Sequence, residues 1–95
     1  MVVTETLEGT IDQSLWFHYD VANDVLYLRL ASARDAPTVA EETDDGLLLL
    51  RHEQTDDPVG ITVVDWWKRF GQGDLPDSIK QLELCIKPWA KRIAA

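Results

Sequence analysis

Cysteine occurs once in this 95-residue chain, and its scarcity is the first constraint. A single thiol, Cys85, excludes an intramolecular disulfide and a zinc-type cysteine cluster, which fits a reducing compartment. No stretch approaches the roughly 18 consecutive apolar residues that mark a membrane-spanning helix. The opening MVVTETLEGT has no basic region and no long apolar run, so no secretory signal is read and a cytoplasmic protein is expected. Neither a GxGxxG nor a P-loop Gly-Lys-Ser/Thr occurs, which leaves a nucleotide site without sequence support.

Basic charge is scarce too. Residues 1–57 hold thirteen Asp/Glu and three Lys/Arg, a net of −10. Residues 58–95 hold four and six, a net of +2, giving −8 overall. An acidic body with a slightly basic tail argues against nucleic acid as the partner, because phosphate contacts need clustered Lys and Arg. It suits a basic protein, with a solvated, solubilising surface as the plain alternative.

What is present is strand pattern. A chain of this length with 45% apolar content fits one small domain, residues 1–95. In LWFHYD, Leu15, Phe17 and Tyr19 alternate with Trp16, His18 and Asp20; in VLYLRL, Leu26, Leu28 and Leu30 alternate with Val25, Tyr27 and Arg29. Period two with aromatic and β-branched residues means strands. The intervening VAND reads as a hairpin turn, with Asp20, Asn23 and Asp24 bonding local backbone. On that reading Asp24→Asn is tolerated and Asp24→Leu destabilises. ASARDAP is a loop. TVAEETDD, an edge-like strand, and LLLLRHE form a second hairpin with Asp45–Gly46 at its tip, and VGITVVDW is a further strand, with Val59, Ile61 and Val63 on one side. VVTETL and TIDQ around Glu8–Gly9 suggest one more short hairpin.

After Asp65 the period changes. DWWKRFG suggests a short helix near 65–70, capped by Asp65 and ended by Gly71. Ile79, Leu82, Ile86, Trp89 and Ile93 then recur at spacings of 3 and 4, one stripe of a helix capped by Asp74 or Asp77, with Pro76 in its first turn. Pro88 predicts a kink or an end near Lys87. The expected fold is therefore α+β: an antiparallel sheet of about four to six strands in hairpins, with the short helix and a C-terminal helix near 76–87 packed on one face.

At YDVANDVLYLRL, then EETDDGLLLL, PVGITVVD and a Lys-Arg pair, the chain resembles DUF2283, a family of small bacterial proteins of unknown function. The likeness covers about residues 17–70 as a β-rich core within 15–70, leaving 71–95 as a helical extension. Trp66 and Trp67, where the family has small residues, and HEQTDDP, where it has a shorter turn, depart from the pattern. The resemblance implies a compact β-rich domain. It also implies an antitoxin-like role, since members are often encoded beside small proteins resembling RNA-cleaving toxins.

No catalytic residue, metal or cofactor is expected. His18 and His52 with Asp20 or Glu53 sketch a metal-dependent hydrolase, but they lack a supporting signature. Ser14, His18 and Asp20 make a triad on paper without a nucleophile elbow. Cys85 reads as packing. The candidate partner-binding residues are Glu41, Glu42, Asp44 and Asp45, which crowd one hairpin tip, with Trp66 and Trp67, since tryptophan is enriched at interface hot spots. A homodimer in which Lys87, Lys91 and Arg92 reach a neighbour's acidic face is a second use of the same charges.

Overall fold

Six strands form one antiparallel sheet in the computed structural model, which describes residues 6–76 and 78–94, the side chains of residues 79, 90–92 and 94 excepted. They are β1 (Thr6–Ile11), β2 (Leu15–Asp20), β3 (Val25–Leu30), β4 (Thr38–Glu42), β5 (Leu48–His52) and β6 (Pro58–Val64). Two helices follow, α1 (Trp66–Phe70) and α2 (Ile79–Ala94). The α+β expectation is met. The sheet order is β1-β2-β3-β6-β5-β4, two three-stranded meanders joined along β3 and β6.

Alternation decides which face is buried. Phe17 pairs with Leu28 and Leu28 with Ile61, while Tyr19 pairs with Leu26 and Leu26 with Val63. Directly opposed residues share a face, so two apolar rows run across β2, β3 and β6. Leu82, Ile86 and Ile93 of α2 close over them, and Trp66 and Leu47 complete the core. Those contacts explain why α2 continues through Pro88, where the sequence predicts a kink or an end. A proline inside a helix costs about 3 kcal/mol. Keeping Ile93 buried and Trp89 packed offsets that cost.

Four further expectations change. Glu8 and Gly9 lie inside one continuous strand, β1, which turns through residues 12–14 into β2. Helix α2 begins at Ile79, not 76, with the Gln81 amide donating to Ser78 Oγ (3.2 Å), so Ser78 takes the capping role given to Asp74. Asp77 lies outside the described residues, as does the side chain of Ile79. Val59 does not share a core with Ile61 and Val63. The β5–β6 register shifts at Leu50/Arg51, and Val59 packs instead with Leu50 and Ala33 in a second cluster.

Ala33 belongs to a single 3-10 turn, Ala31–Ala33, in the segment expected as loop. This segment carries the chain from the sheet centre to its far edge. Arg29 holds it by donating from Nη1 to the Arg34 carbonyl (3.0 Å). The Arg29 stem crosses Gly60, where an added Cβ would sit 2.6 Å from the Leu28 carbonyl oxygen and 3.0 Å from Arg29 Cγ. Among the described residues, no helix is long and apolar enough to cross a membrane.

Gly60→Ala is therefore expected to destabilise the fold by about 1–3 kcal/mol through overpacking of backbone at the central strand pair. Urea unfolding measures it. An unchanged midpoint would show that β3 and β6 can separate without cost.

Candidate functional site

The β2–β3 turn is built twice over by aspartate. Asp20 Oδ1 accepts from the Asn23 amide (3.3 Å) and Oδ2 from Asn23 Nδ2 (2.8 Å), a local turn of the kind the sequence predicts. The Asn23 side chain, with the Asn23 and Ala22 amides, holds the exposed Asp20 carboxyl below its ordinary value against a smaller opposing effect of desolvation.

Asp24 acts at longer range. It adopts a left-handed conformation, φ 55°, and its carboxylate leaves the turn. Oδ1 accepts from Tyr19 Oη (2.5 Å) and the Trp67 amide (2.9 Å), and Oδ2 from the Lys68 amide (3.0 Å). Its carbonyl accepts from the Trp66 amide (3.1 Å). Three amides at the start of α1 are thus satisfied by one residue some forty positions earlier. Asp65, the cap expected from sequence, is itself left-handed and makes no side-chain cap bond. A five-residue helix does not persist alone in water, so Asp24 is what fixes α1. Burial pushes the Asp24 carboxyl up, but hydrogen bonds from Tyr19, Lys68 and Trp67 together bring it below its ordinary value. Burial, then the bond to Asp24, raises the Tyr19 hydroxyl well above its own.

At the opposite hairpin, Gly46 takes φ 78° and closes a tight turn from Thr43 to Leu47. Thr43 Oγ1 donates to Asp45 Oδ1 and accepts from the Leu47 amide (3.1 Å). This tip is tied to α1. Arg69 Nη2 donates to the Asp45 carbonyl (2.6 Å) and Nη1 to that of Gly46 (3.4 Å), and the guanidinium lies 4.8 Å from the Phe70 ring centre. Glu41 pairs with Arg51 of β5 at 3.1 Å. Glu42, Asp44 and Asp45 are exposed on β4 and the tip. β4 ends the sheet, and no described strand pairs with its outer side.

The two adjacent tryptophans part company. Trp66 is buried at 2% exposure, edge-on to Tyr19 at 5.1 Å, so it is a core residue and not the partner-facing one expected. Its Nε1 is sealed and has no partner among the described residues. Trp67 is half-buried, donates from Nε1 to the Gly73 carbonyl (2.8 Å) and lies against Gly71, where a Cβ would come within 2.1 Å of the indole. Gly71 thus ends α1 by giving room to a ring, at an extended φ of −82°. Trp66, Trp67, Phe70, Gly71, Gln72, Cys85 and Trp89 line a cleft of about 350 Å³ between α1 and α2.

His18 and His52 are not brought together. They sit on β2 and β5 with β3 and β6 between them, and His18 is in register with Leu48, four residues from His52, so they are separated by roughly 14 Å across the sheet and about 13 Å along it. The His18 ring lies tilted against Trp16 (5.8 Å) and edge-to-face with Tyr27 (5.7 Å), and His52 Nδ1 accepts from the Gln54 amide (3.1 Å). Among the described residues no group of three His, Cys, Asp or Glu is placed to share a metal ion. Lys87 Nζ lies 3.9 Å from Asp12 of its own chain. The side chains of Lys91 and Arg92, invoked for a homodimer, lie outside the described residues.

Sequence reasoning missed Arg69 as a neighbour of the acidic tip, and Phe70 and Trp89 as walls of the cleft. It also missed Trp16, where Glu8 Oε1 accepts from the indole (2.8 Å) and from Arg34 Nη2 (2.8 Å), with Arg34 4.6 Å over the ring. The stretch KRF does announce a cation beside an aromatic. Which hairpin it meets is set by tertiary structure alone. No family model, no curated protein and no solved structure matches this chain.

The turn argument about Asp24 changes accordingly. Asn tolerates the left-handed conformation equally well but offers one acceptor where three donors converge. Asp24→Asn is expected to cost on the order of 1–3 kcal/mol, and Asp24→Leu more. Because its carboxyl lies below the unfolded value in the native state, the Asp24 contribution is complete above about pH 4 and is lost as pH falls through the native value. Tyr19→Phe removes a bond that lowers this pKa and moves the acid limb upward. Urea midpoints across pH 2–6 report both, and coincident curves for parent and Asp24→Asn would dismiss the bridge.

Proposed function

We propose that this chain is a non-enzymatic protein-binding module whose β4–β5 hairpin engages a basic segment of another protein. The carrying observation is the state of β4. It is the last strand of the sheet, almost wholly exposed, and it leads Glu41 and Glu42 directly into Asp44 and Asp45. An exposed edge strand presents backbone groups that an extended segment can pair with, and charged edge residues resist casual self-pairing. A basic segment gains the ladder bonds and relieves the crowded carboxylates together.

The tip is also held in place. Arg69 grips the carbonyls of Asp45 and Gly46, so the carboxylates project from a fixed turn. Less ordering is then required on binding. Opposite charge steers encounter and excludes polyanions, in keeping with a net charge of −8. Of Trp66 and Trp67, only Trp67 is accessible to a partner. The resemblance to DUF2283 points to the partner's class, a toxin-like RNase with a basic surface, and to an antitoxin-like role in the cytoplasm.

Replacing Glu41, Glu42, Asp44 and Asp45 by Gln and Asn tests the reading. Immobilised parent protein is expected to retain a defined basic partner from native lysate at low salt and to release it as salt shortens the screening length from about 10 Å at 0.1 M to about 3 Å at 1 M. The fourfold variant should retain none of it. Equal recovery by both proteins would end the acidic-edge reading.

A further inference from the structure

The hydrogen-bond phase of β4 says which of its backbone groups are left for a partner. The Thr43 amide donates to the Leu47 carbonyl (2.8 Å), and the Glu53 amide to that of Pro37 (3.1 Å). Bonded and open pairs alternate along an antiparallel ladder, so Pro37, Val39, Glu41 and Thr43 turn their backbone groups toward β5. The His52 amide, opposite Thr38, turns away from β4 to the Asp57 carbonyl (2.8 Å), as that phase requires. The N–H and C=O groups of Thr38, Ala40 and Glu42 therefore point outward, where no described strand meets them. We infer, resting on the acidic-edge reading above, that β4 receives an antiparallel strand from a basic partner protein. That strand carries Lys or Arg opposite Glu42 and a β-branched apolar residue opposite Val39.

The backbone groups carry this inference, and the side chains of β4 set the composition and direction of the strand. Glu41 and Glu42 lie at one end and run into Asp44 and Asp45, whereas Thr38 and Val39 follow Pro37 at the other. Glu41 pairs with Arg51, but Glu42 and Asp44 make no ion pair among the described residues. Basic side chains are thus required opposite Glu42 and beside Asp44, and a polar one suffices opposite Glu41.

Val39 is 57% exposed. It takes a non-hydrogen-bonded position in the new pair, where opposed side chains approach most closely, so a β-branched apolar residue covers it. Antiparallel entry matches all five existing pairings and gives the stronger ladder. Read in its own direction, the incoming segment then runs basic, any, basic, polar, any, apolar. This is strand addition to a sheet edge, with charge fixing which end enters first.

Titration of the full chain at low salt with acetylated, amidated Lys-Ser-Lys-Thr-Ala-Val-Thr, followed by amide exchange, tests the assignment. Binding is expected to protect the Thr38, Ala40 and Glu42 amides and to leave Val39 and Glu41, already bonded to β5, little changed. The reversed peptide Thr-Val-Ala-Thr-Lys-Ser-Lys has the same charge and should bind about tenfold more weakly. N-methylation of the peptide alanine removes a donor aimed at β4 and should also cost about tenfold. N-methylation of the valine, whose amide points away from β4, should cost less than about twofold. Ala40→Pro keeps every carboxylate and deletes an amide outside the β4–β5 ladder, a position where an edge strand tolerates proline. It should weaken binding about tenfold while the Val39 and Glu41 amides stay protected.

Equal binding of the peptide and its reversed form, or no loss with methylated alanine and Ala40→Pro, overturns the added strand. The acidic-edge reading survives that result if the fourfold charge variant still loses the peptide. Unchanged binding by the fourfold variant removes the reading and the lysine positions together. Outward amides already protected in the free protein would show a second copy on the edge, and that outcome, like no binding at about millimolar peptide, overturns the proposal.

Discussion

One carboxylate organises the end of the molecule where all the candidate surfaces meet. Asp24 leaves its own turn and satisfies the first amides of α1, a helix too short to hold itself. Once α1 is fixed, Trp66 is driven into the core against Tyr19, and Tyr19 returns its hydroxyl to the same carboxylate. The helix also aims Arg69 at the opposite hairpin and sets Trp67 and Phe70 along the cleft. An ionised group serves here because amide donors and one hydroxyl converge on it. A neutral side chain of the same shape cannot accept them all.

The strands were legible in the sequence because their rule is local. Leu15, Phe17 and Tyr19, and Leu26 and Leu28, are buried as their alternation requires. The tip at Asp45–Gly46 was legible for the same reason, since a positive φ needs glycine there. What failed was whatever depended on a distant partner. Asp65 has the chemistry of a cap, but a residue on another turn occupies the position it would serve. Pro88 has the chemistry of a break, but buried residues on both sides outweigh it. Trp66 and Trp67 are neighbours of identical type, and only the turn into α1 separates a core plug from a cleft wall.

The candidate surfaces follow from the way the sheet is covered. Helix α2 lies over β1 and β6 and shields the face formed by β1, β2, β3 and β6. The β4–β5 hairpin projects past that cover, and the chain puts its carboxylates there, where water solvates them at little cost. The aromatic cleft sits where the two helices fail to meet completely. Both features are products of one short helix and one long helix sharing a six-stranded sheet.

The strand order also sets how the chain finds its fold. Four of the five pairings join strands consecutive in sequence, and β3 with β6 is the exception. There Val25 meets Val64 and Arg29 meets Gly60, separations of 39 and 31 residues. Each meander can therefore zip from its own turns on the microsecond scale of hairpins. The entropy of closing a long loop falls on a single seam. That seam, Leu26 and Leu28 against Val63 and Ile61, is also the middle of the apolar face. Folding becomes the docking of two locally assembled halves, and the last contact made is the one the hydrophobic core most depends on.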